Sequence, residues 1–454
     1  MFNFPKFLKT NYLSAVQLIV VFYAAATIIS MIILGLPFFH DEGVELSFTN
    51  LLFTAVSAIS VTGLTVVSTV DTFNAAGAFA LAFVLQFGGI GIMTLGTFIW
   101  ILLGKRIGLR ERQLIQIDQN RTALSGLVRL MVRILKTILL IELVGTIILS
   151  TYFLNYFDTW QEAWLQGFFA AVSATTNAGF DITGASLIPF ADDYFVQSVN
   201  IVLLILGAIG FPVLIETQDF LKGEWDADRA NNSFSLFTQL TVITFFGLIV
   251  VGTVLMLILE QDAFLDDMAW HKQLFYSLFQ SVTTRNGGLA TMDVNELTEP
   301  TLIVFCMLMF IGASPSSVGG GIRTTTFAIM LLAIYNFARG RSSIKVFRRE
   351  VDTEDVIRSF IVITTAVMLC MTAIVILMVT EPFPLLPVAF EVFSAFGTTG
   401  LSMGITADLS PIGKYVIIFL MFVGRIGIFS FLFIVRGKVT RDKYHFPKEK
   451  VIIG

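Results

Sequence analysis

Ser57-Ala58-Ile59-Ser60-Val61-Thr62-Gly63-Leu64, near the start of the chain, and Ser394-Ala395-Phe396-Gly397-Thr398-Thr399-Gly400-Leu401, near its end, are two copies of one pattern. Two further copies lie between them: Ser173-Ala174-Thr175-Thr176-Asn177-Ala178-Gly179-Phe180 and Val282-Thr283-Thr284-Arg285-Asn286-Gly287-Gly288-Leu289. Gly63, Gly179, Gly288 and Gly400 align, with Phe53, Phe169, Leu278 and Phe390 ten positions before them and an apolar residue directly after. A second motif follows in register: Gly88-Gly89-Ile90-Gly91, Gly207-Ala208-Ile209-Gly210 and Gly424-Arg425-Ile426-Gly427, with Gly312-Ala313-Ser314-Pro315 as the departing third copy. Two motifs repeating in step establish a fourfold internal repeat, and such a repeat decides how every other segment is read.

The composition says what kind of repeat this is. Of 454 residues, 56% are hydrophobic and 14% charged, against about 25% charged in ordinary soluble domains. A mean hydropathy of +0.82 excludes a soluble enzyme and a disordered chain. Cys306 and Cys370 both lie inside apolar stretches, so they form no disulfide framework and do not report a compartment. Eight apolar stretches are long enough to cross a bilayer, which takes roughly 20 residues: 15–36, 76–103, 127–154, 195–220, 237–259, 301–335, 357–380 and 412–435. The first follows Lys6 and Lys9 and exceeds a signal-peptide core, so it reads as a retained span. Four shorter stretches, 48–62, 163–176, 272–284 and 388–399, suit re-entrant helices.

Charge fixes the orientation. With both termini cytoplasmic, only Lys272, Arg285 and Lys414 of the 29 Lys and Arg residues fall outside, and Arg323 and Arg425 lie within membrane segments. The outer loops are acidic. This positive-inside asymmetry holds only if each short stretch enters and leaves on the outer side. The expected fold is therefore an all-α membrane protein of eight transmembrane helices and four pore helices. Four covalently linked span–re-entrant pore helix–span units, 1–110, 111–222, 223–345 and 346–454, would surround a central pseudo-fourfold pore.

A glycine after one short helix would simply be a helix cap. Four aligned copies, each ending a helix too short to cross, point to more, because irregular backbone at membrane depth must be satisfied by protein or water. Short helices aiming their negative C-terminal ends at one axis would place the carbonyls of Val61-Thr62-Gly63, Asn177-Ala178-Gly179, Asn286-Gly287-Gly288 and Thr398-Thr399-Gly400 around it, as a substitute for a cation's hydration shell. None of these runs contains Asp or Glu, which favours a large monovalent ion.

These runs resemble the Trk/Ktr/HKT superfamily of potassium transporters, and the resemblance covers nearly the whole chain. Because the chain opens directly on the first unit, it looks like the membrane subunit of a bacterial Ktr-type uptake system in the plasma membrane. All four filter glycines are present. Sodium-favouring plant relatives often carry serine at the first, so Gly63 points to potassium. Arg285, just before Asn286, is the less standard filter feature and is placed behind the filter or at its mouth. The resemblance further implies a homodimer, sodium as an activator or co-ion, and a cytosolic ring of RCK/KTN-type nucleotide-binding subunits that carries the nucleotide. The basic loops 104–136 and 336–358 and the tail 436–454 are the docking surface available to that ring, and Val451–Gly454 is apolar enough to tuck into a protomer interface.

The span 301–335 contains Gly312-Ala313-Ser314-Pro315-Ser316-Ser317-Val318-Gly319-Gly320-Gly321, which does not hold a regular helix. Splitting it into two spans would invert everything after it, and no Lys-Ser/Thr follows to make it a phosphate loop. It reads as a broken helix beneath the filter. Arg425, deep in a span and at matching depth in the fourth unit, can donate to the freed carbonyls. In the family the corresponding loop and arginine are implicated in gating. Glu142 is the clearest buried acid, a proton or sodium site or, more simply, a helix–helix hydrogen bond. No nucleotide-binding motif, metal-ligand spacing or nucleic-acid patch occurs, so the expected partners are lipid and protein, and the chain is not an enzyme. The alternative is a sodium- or proton-coupled alternating-access carrier. Those are commonly built of inverted repeats, whereas these four units are parallel.

Overall fold

The computed structural model describes residues 15–91, 94, 126–223, 234–341 and 343–435, with 447, 449 and 452 in the tail. The N-terminal lysines, most of 92–125 and most of the tail lie outside the described residues, and with them much of the surface assigned to docking.

The described residues are helical apart from a two-stranded hairpin, Lys345–Val346 with Arg349–Glu350, and a bridge between His40 and Phe73. Each repeat opens with a long helix: Ala15–Leu34, Leu127–Phe153, Leu236–Leu259 and Thr353–Thr380. A short one follows: Phe48–Ser60, Trp160–Thr175, Trp270–Thr283 and Leu385–Gly397. Their starts are set by local chemistry. Ser47 and Thr159 accept hydrogen bonds from the amides of Asn50 and Glu162, satisfying donors that the first turn leaves free.

The second apolar stretch differs from the sequence expectation. Only the third was expected to break, yet none of the four runs through as one straight helix. Ala75–Ile90 stops at Gly91. Tyr194–Ala208 turns by 103° into Phe211–Leu221, and Pro411–Ile426 by 104° into the helix that starts at Ile428. Glu299–Ile311 and Thr324–Ala338 are separated by a loop. The cause is the last glycine of the second motif. Gly91, Gly210 and Gly427 have φ of 93°, 103° and 82° with ψ of 135°, 132° and 148°, a conformation open to glycine and closed to helix. Among the described residues, only Gln17–Leu34, Leu236–Leu259 and Thr353–Thr380 are helices both long and apolar enough to cross a membrane, or five segments if each bent pair counts as one. Leu127–Phe153 is long enough but carries Arg129, Arg133, Lys136 and Glu142.

The core is distributed around a circuit. One cluster joins Ala58 and Leu81 of the first repeat to Phe169 and Phe180 of the second. Another joins Leu149 and Leu204 to Phe245 and Phe279 of the third, and a third joins Phe305 and Met309 to Phe390 and Leu401 of the fourth. The last packs Val388, Ile417 and Leu420 against Phe53 and Leu64, closing the fourth repeat on the first. The long helices turn apolar side chains outward, among them Leu140, Leu143, Val250, Val254, Ile258, Val375 and Val379, a surface that suits lipid and not water.

Candidate functional site

The four short helices all lead into a left-handed residue two positions before the aligned glycine. Val61, Asn177, Asn286 and Thr398 adopt positive φ (54°, 53°, 80° and 51°) and terminate the helical conformation. The following amide then reaches back: Thr62 to Ser57, Ala178 to Ser173 and Thr399 to Ser394, at 2.8–2.9 Å, five residues apart, and Gly287 to Thr283 at 2.6 Å. These are the bonds of a helix C-terminal motif. The helices are capped at Val61, Thr176, Thr284 and Thr398, so the aligned glycines are not the caps.

Gly63, Gly179, Gly288 and Gly400 have positive φ as well (90°, 68°, 68° and 94°), whereas the residue between cap and glycine does not. What the glycines meet explains them. A Cβ on Gly63 would lie 2.5 Å from the Ala178 carbonyl, one on Gly179 2.9 Å from Gly288 Cα, and one on Gly288 2.5 Å from the Thr399 carbonyl. One on Gly400 would fall closer still to the carbonyl of Thr62. Repeat one therefore meets two, two meets three, three meets four, and four returns to one. The twelve residues singled out in the four runs come together as one closed ring of backbone, with no room for a side chain at any of the four glycines. At the seam between the third and fourth repeats Asn286 Nδ2 donates to the Thr398 carbonyl at 2.8 Å and to Thr398 Oγ1 at 2.7 Å. Asn177, with its amide turned to donate, reaches Ala174 and Leu204 carbonyls at 2.8 and 3.2 Å.

Directly against this ring lies the segment Gly312–Arg323. The Ser314 amide donates to Ala208 and that of Val318 to Gly207, while Phe211 donates to Ser316 at 2.8 Å, tying the loop to the second repeat. Gly319 packs on the Asn286 side chain. A Cβ on Gly320 would lie 2.6 Å from Thr398 Oγ1 and 2.9 Å from the Gly424 carbonyl. Arg425, 7% exposed, donates from its guanidinium to the Val318 carbonyl in the loop and to the Gly88 carbonyl in the first repeat. The loop and Arg425 together touch all four repeats.

Sequence reasoning missed Arg323. With φ 77° and ψ 142° it holds the conformation that Gly91, Gly210 and Gly427 hold elsewhere, just before the second half-helix. Its guanidinium donates to the carbonyls of Ser314 and Gly319 inside the loop. The true counterpart of the helix-breaking glycine in the third repeat is thus Arg323, and the residues from Gly312 onward replace the helix end. The repeat alignment carried that signal, through the absence of a Gly-x-Ile-Gly copy. Arg285 lies fully buried, its guanidinium donating to the Leu308 carbonyl. Glu142 accepts a 2.6 Å bond from Gln86, linking the second repeat to the first.

Apolar helices packed around a closed ring of backbone, with a loop lying against that ring, suit a helical membrane protein. The chain belongs to the TrkH family of cation transport proteins: residues 5–445 match that family. It is 56% identical to Ktr system potassium uptake protein D of Bacillus subtilis over 97% of this chain and 98% of that protein. It is 33% identical to potassium/sodium uptake protein NtpJ of Enterococcus hirae, over 97% and 98% of the two chains. The fold matches the crystal structure of the potassium transporter TrkH from Vibrio parahaemolyticus, with a TM-score of 0.71 at 21% identity, over 94% of this chain and 86% of that one. The family is one of transporters, not enzymes.

Proposed function

We propose that this chain is the membrane subunit of a Ktr-type potassium uptake system in the bacterial plasma membrane, with both termini cytoplasmic. Its four units, 1–110, 111–222, 223–345 and 346–454, each contribute a span, a re-entrant pore helix and a broken second span around one pore. Potassium passes through the ring formed by Val61–Gly63, Asn177–Gly179, Asn286–Gly288 and Thr398–Gly400. There, carbonyl oxygens replace its water shell, and the C-terminal ends of the pore helices add negative potential. The observation that carries this reading is the closed circuit of four glycines, each against the next repeat's backbone. Left-handed and ordinary residues alternate within each run, a backbone pattern that would turn successive carbonyls to one side.

Gly312–Gly321 is the gate. It lies against the ring, and Arg425 holds it by a charge-assisted hydrogen bond while setting a positive charge near the ion path. Inward movement is driven by the membrane potential, worth about 2.3 kcal/mol per charge per 100 mV. Sodium acts as activator or co-ion, a role in keeping with a relative named for potassium and sodium uptake. The protein works as a homodimer, and a cytosolic RCK/KTN-type ring binds nucleotide and acts on the gate through the basic cytosolic loops.

Growth of a potassium-uptake-deficient bacterium on limiting potassium is the test. The wild-type chain should restore growth. Gly63→Ser should lose preference for potassium over sodium in flux measurements. A Gly63→Ser protein of normal abundance with unaltered selectivity would refute the ring as the path.

A further inference from the structure

Arg285 precedes Gly288 by three residues, and the repeat supplies its own controls. The same place holds Ser60, Thr176 and Gly397 in the other three units, all uncharged. The Ser60 and Thr176 hydroxyls each bond to a carbonyl of their own pore helix, Val56 and Val172, at 2.7 Å. Arg285 is 1% exposed. One guanidinium nitrogen donates to the Leu308 carbonyl, while Nε and Nη1 meet no acceptor. Among the described residues no carboxylate forms an ion pair with it. An arginine does not escape such a place by losing its proton. It is therefore a fixed positive charge just past the last turn of the third pore helix, Trp270–Thr283, whose C-terminal end is the negative end of its dipole.

We propose that Arg285 tunes the ring by weakening cation binding in it: its charge offsets the third helix end, leaves three uncompensated ends facing the ion, and repels a divalent cation more than a monovalent one. The proposal rests on the reading of the ring as the potassium path. Two physical consequences favour such a charge. Conduction needs an ion bound weakly enough to leave. A site of neutral carbonyls with four uncompensated helix ends would also hold a divalent ion of potassium's size, such as barium, tightly enough to be blocked by it. Repulsion scales with the charge of the ion, so a factor in potassium affinity becomes about its square for barium.

The experiment is potassium influx into proteoliposomes holding the full chain, with barium as blocker, for wild type, Arg285→Met, Arg285→Gln and Arg285→Lys. The neutral variants should lower the KM for potassium about threefold and the barium concentration for half-block about tenfold, the square relation between them being the signature of charge. Arg285→Lys should stay near wild type. Gln keeps a donor for the Leu308 carbonyl and is the variant read if the Met protein does not assemble. Unchanged KM and block in an assembled neutral variant would overturn the proposal, and so would an equal shift in the Lys variant, which would mark a packing role. Gly63→Ser in the same vesicles separates the two layers of argument. If it leaves selectivity unaltered, the path itself is wrong; if it alters selectivity while the Arg285 variants change nothing, only the role of Arg285 falls.

Discussion

Two levels of the molecule, a few ångströms apart, obey different rules. In the glycine ring the backbones of the four repeats follow one pattern: the same sign of φ at each place, and each glycine against the backbone of the next unit. Just beneath it they do not. Three repeats break their helix at one glycine, whereas the third replaces that glycine with Arg323 at the end of a longer loop, and the fourth alone carries Arg425. Under the proposed reading, coordinating one ion on an axis takes the same group four times, which accounts for the likeness of the four runs. The proposed gate needs only one object, and the loop is found where a single copy departs from the pattern.

The comparison is broken most severely by a side chain in the ring. Alanine at Gly179 would combine left-handed strain with a Cβ 2.9 Å from Gly288 Cα. Strain and overpacking of roughly 2–4 kcal/mol are expected, and rubidium uptake should fall by about a hundredfold or more. The same change at Gly63, Gly288 or Gly400 should cost as much. A position that tolerates alanine at near wild-type uptake would show that the ring is not fourfold equivalent.

One level down the sign reverses. Arg425→Ala removes one of the bonds that hold the loop in place, and deletion of Ser316–Gly319 removes part of the loop itself. A charge-assisted hydrogen bond contributes about 1.5–3 kcal/mol, so if the loop is the proposed gate, flux with it closed should rise roughly tenfold and lose its regulation. Equal flux and intact regulation in both variants would remove the loop from the gating role.

The ring was legible in the sequence because it is repeated: four glycines in register outweigh the ambiguity of any one. Its mechanism was not. Left-handed residues at helix ends are ordinarily Gly or Asn, and Asn177 and Asn286 fit that habit, but Val61 and Thr398 are β-branched and gave no sign of it. Close packing at the ring overrides their preference. The breaks at Gly91, Gly210 and Gly427 were visible as a motif yet read as unbroken spans, because an apolar stretch looks continuous whether or not one residue in it turns by about a right angle. Arg323 was hidden for the opposite reason: the repeat places glycine there, and an arginine at positive φ is tolerated only because the loop's own carbonyls hold its side chain.

Arg323 sharpens the comparison. Arg323→Gly restores the residue type of the other repeats and relieves about 1 kcal/mol of backbone strain, but removes two bonds that brace the loop internally. The two effects oppose each other, so closed-state flux should rise only about threefold, less than in Arg425→Ala. A larger rise than in Arg425→Ala would move the main latch from the fourth repeat to the third.

The smallest effect is expected at Glu142, away from both levels. It sits at the seam of the first two repeats, accepts one bond from Gln86, and leaves Glu142 Oε1 and Gln86 Oε1 without partners. A carboxylate charge so enclosed by apolar helices, with no ion pair to it among the described residues, is costly, whereas a neutral acid or an amide is not. Glu142→Gln keeps the size of the side chain and its ability to bond Gln86, so stability should change by about 1 kcal/mol or less, with uptake and its dependence on sodium and pH held within about twofold. If instead the substitution abolishes a sodium- or proton-dependent component of transport, coupling resides at this seam. The proposed gate would then not account for transport by itself, and an alternating-access cycle would become the better description of the protein.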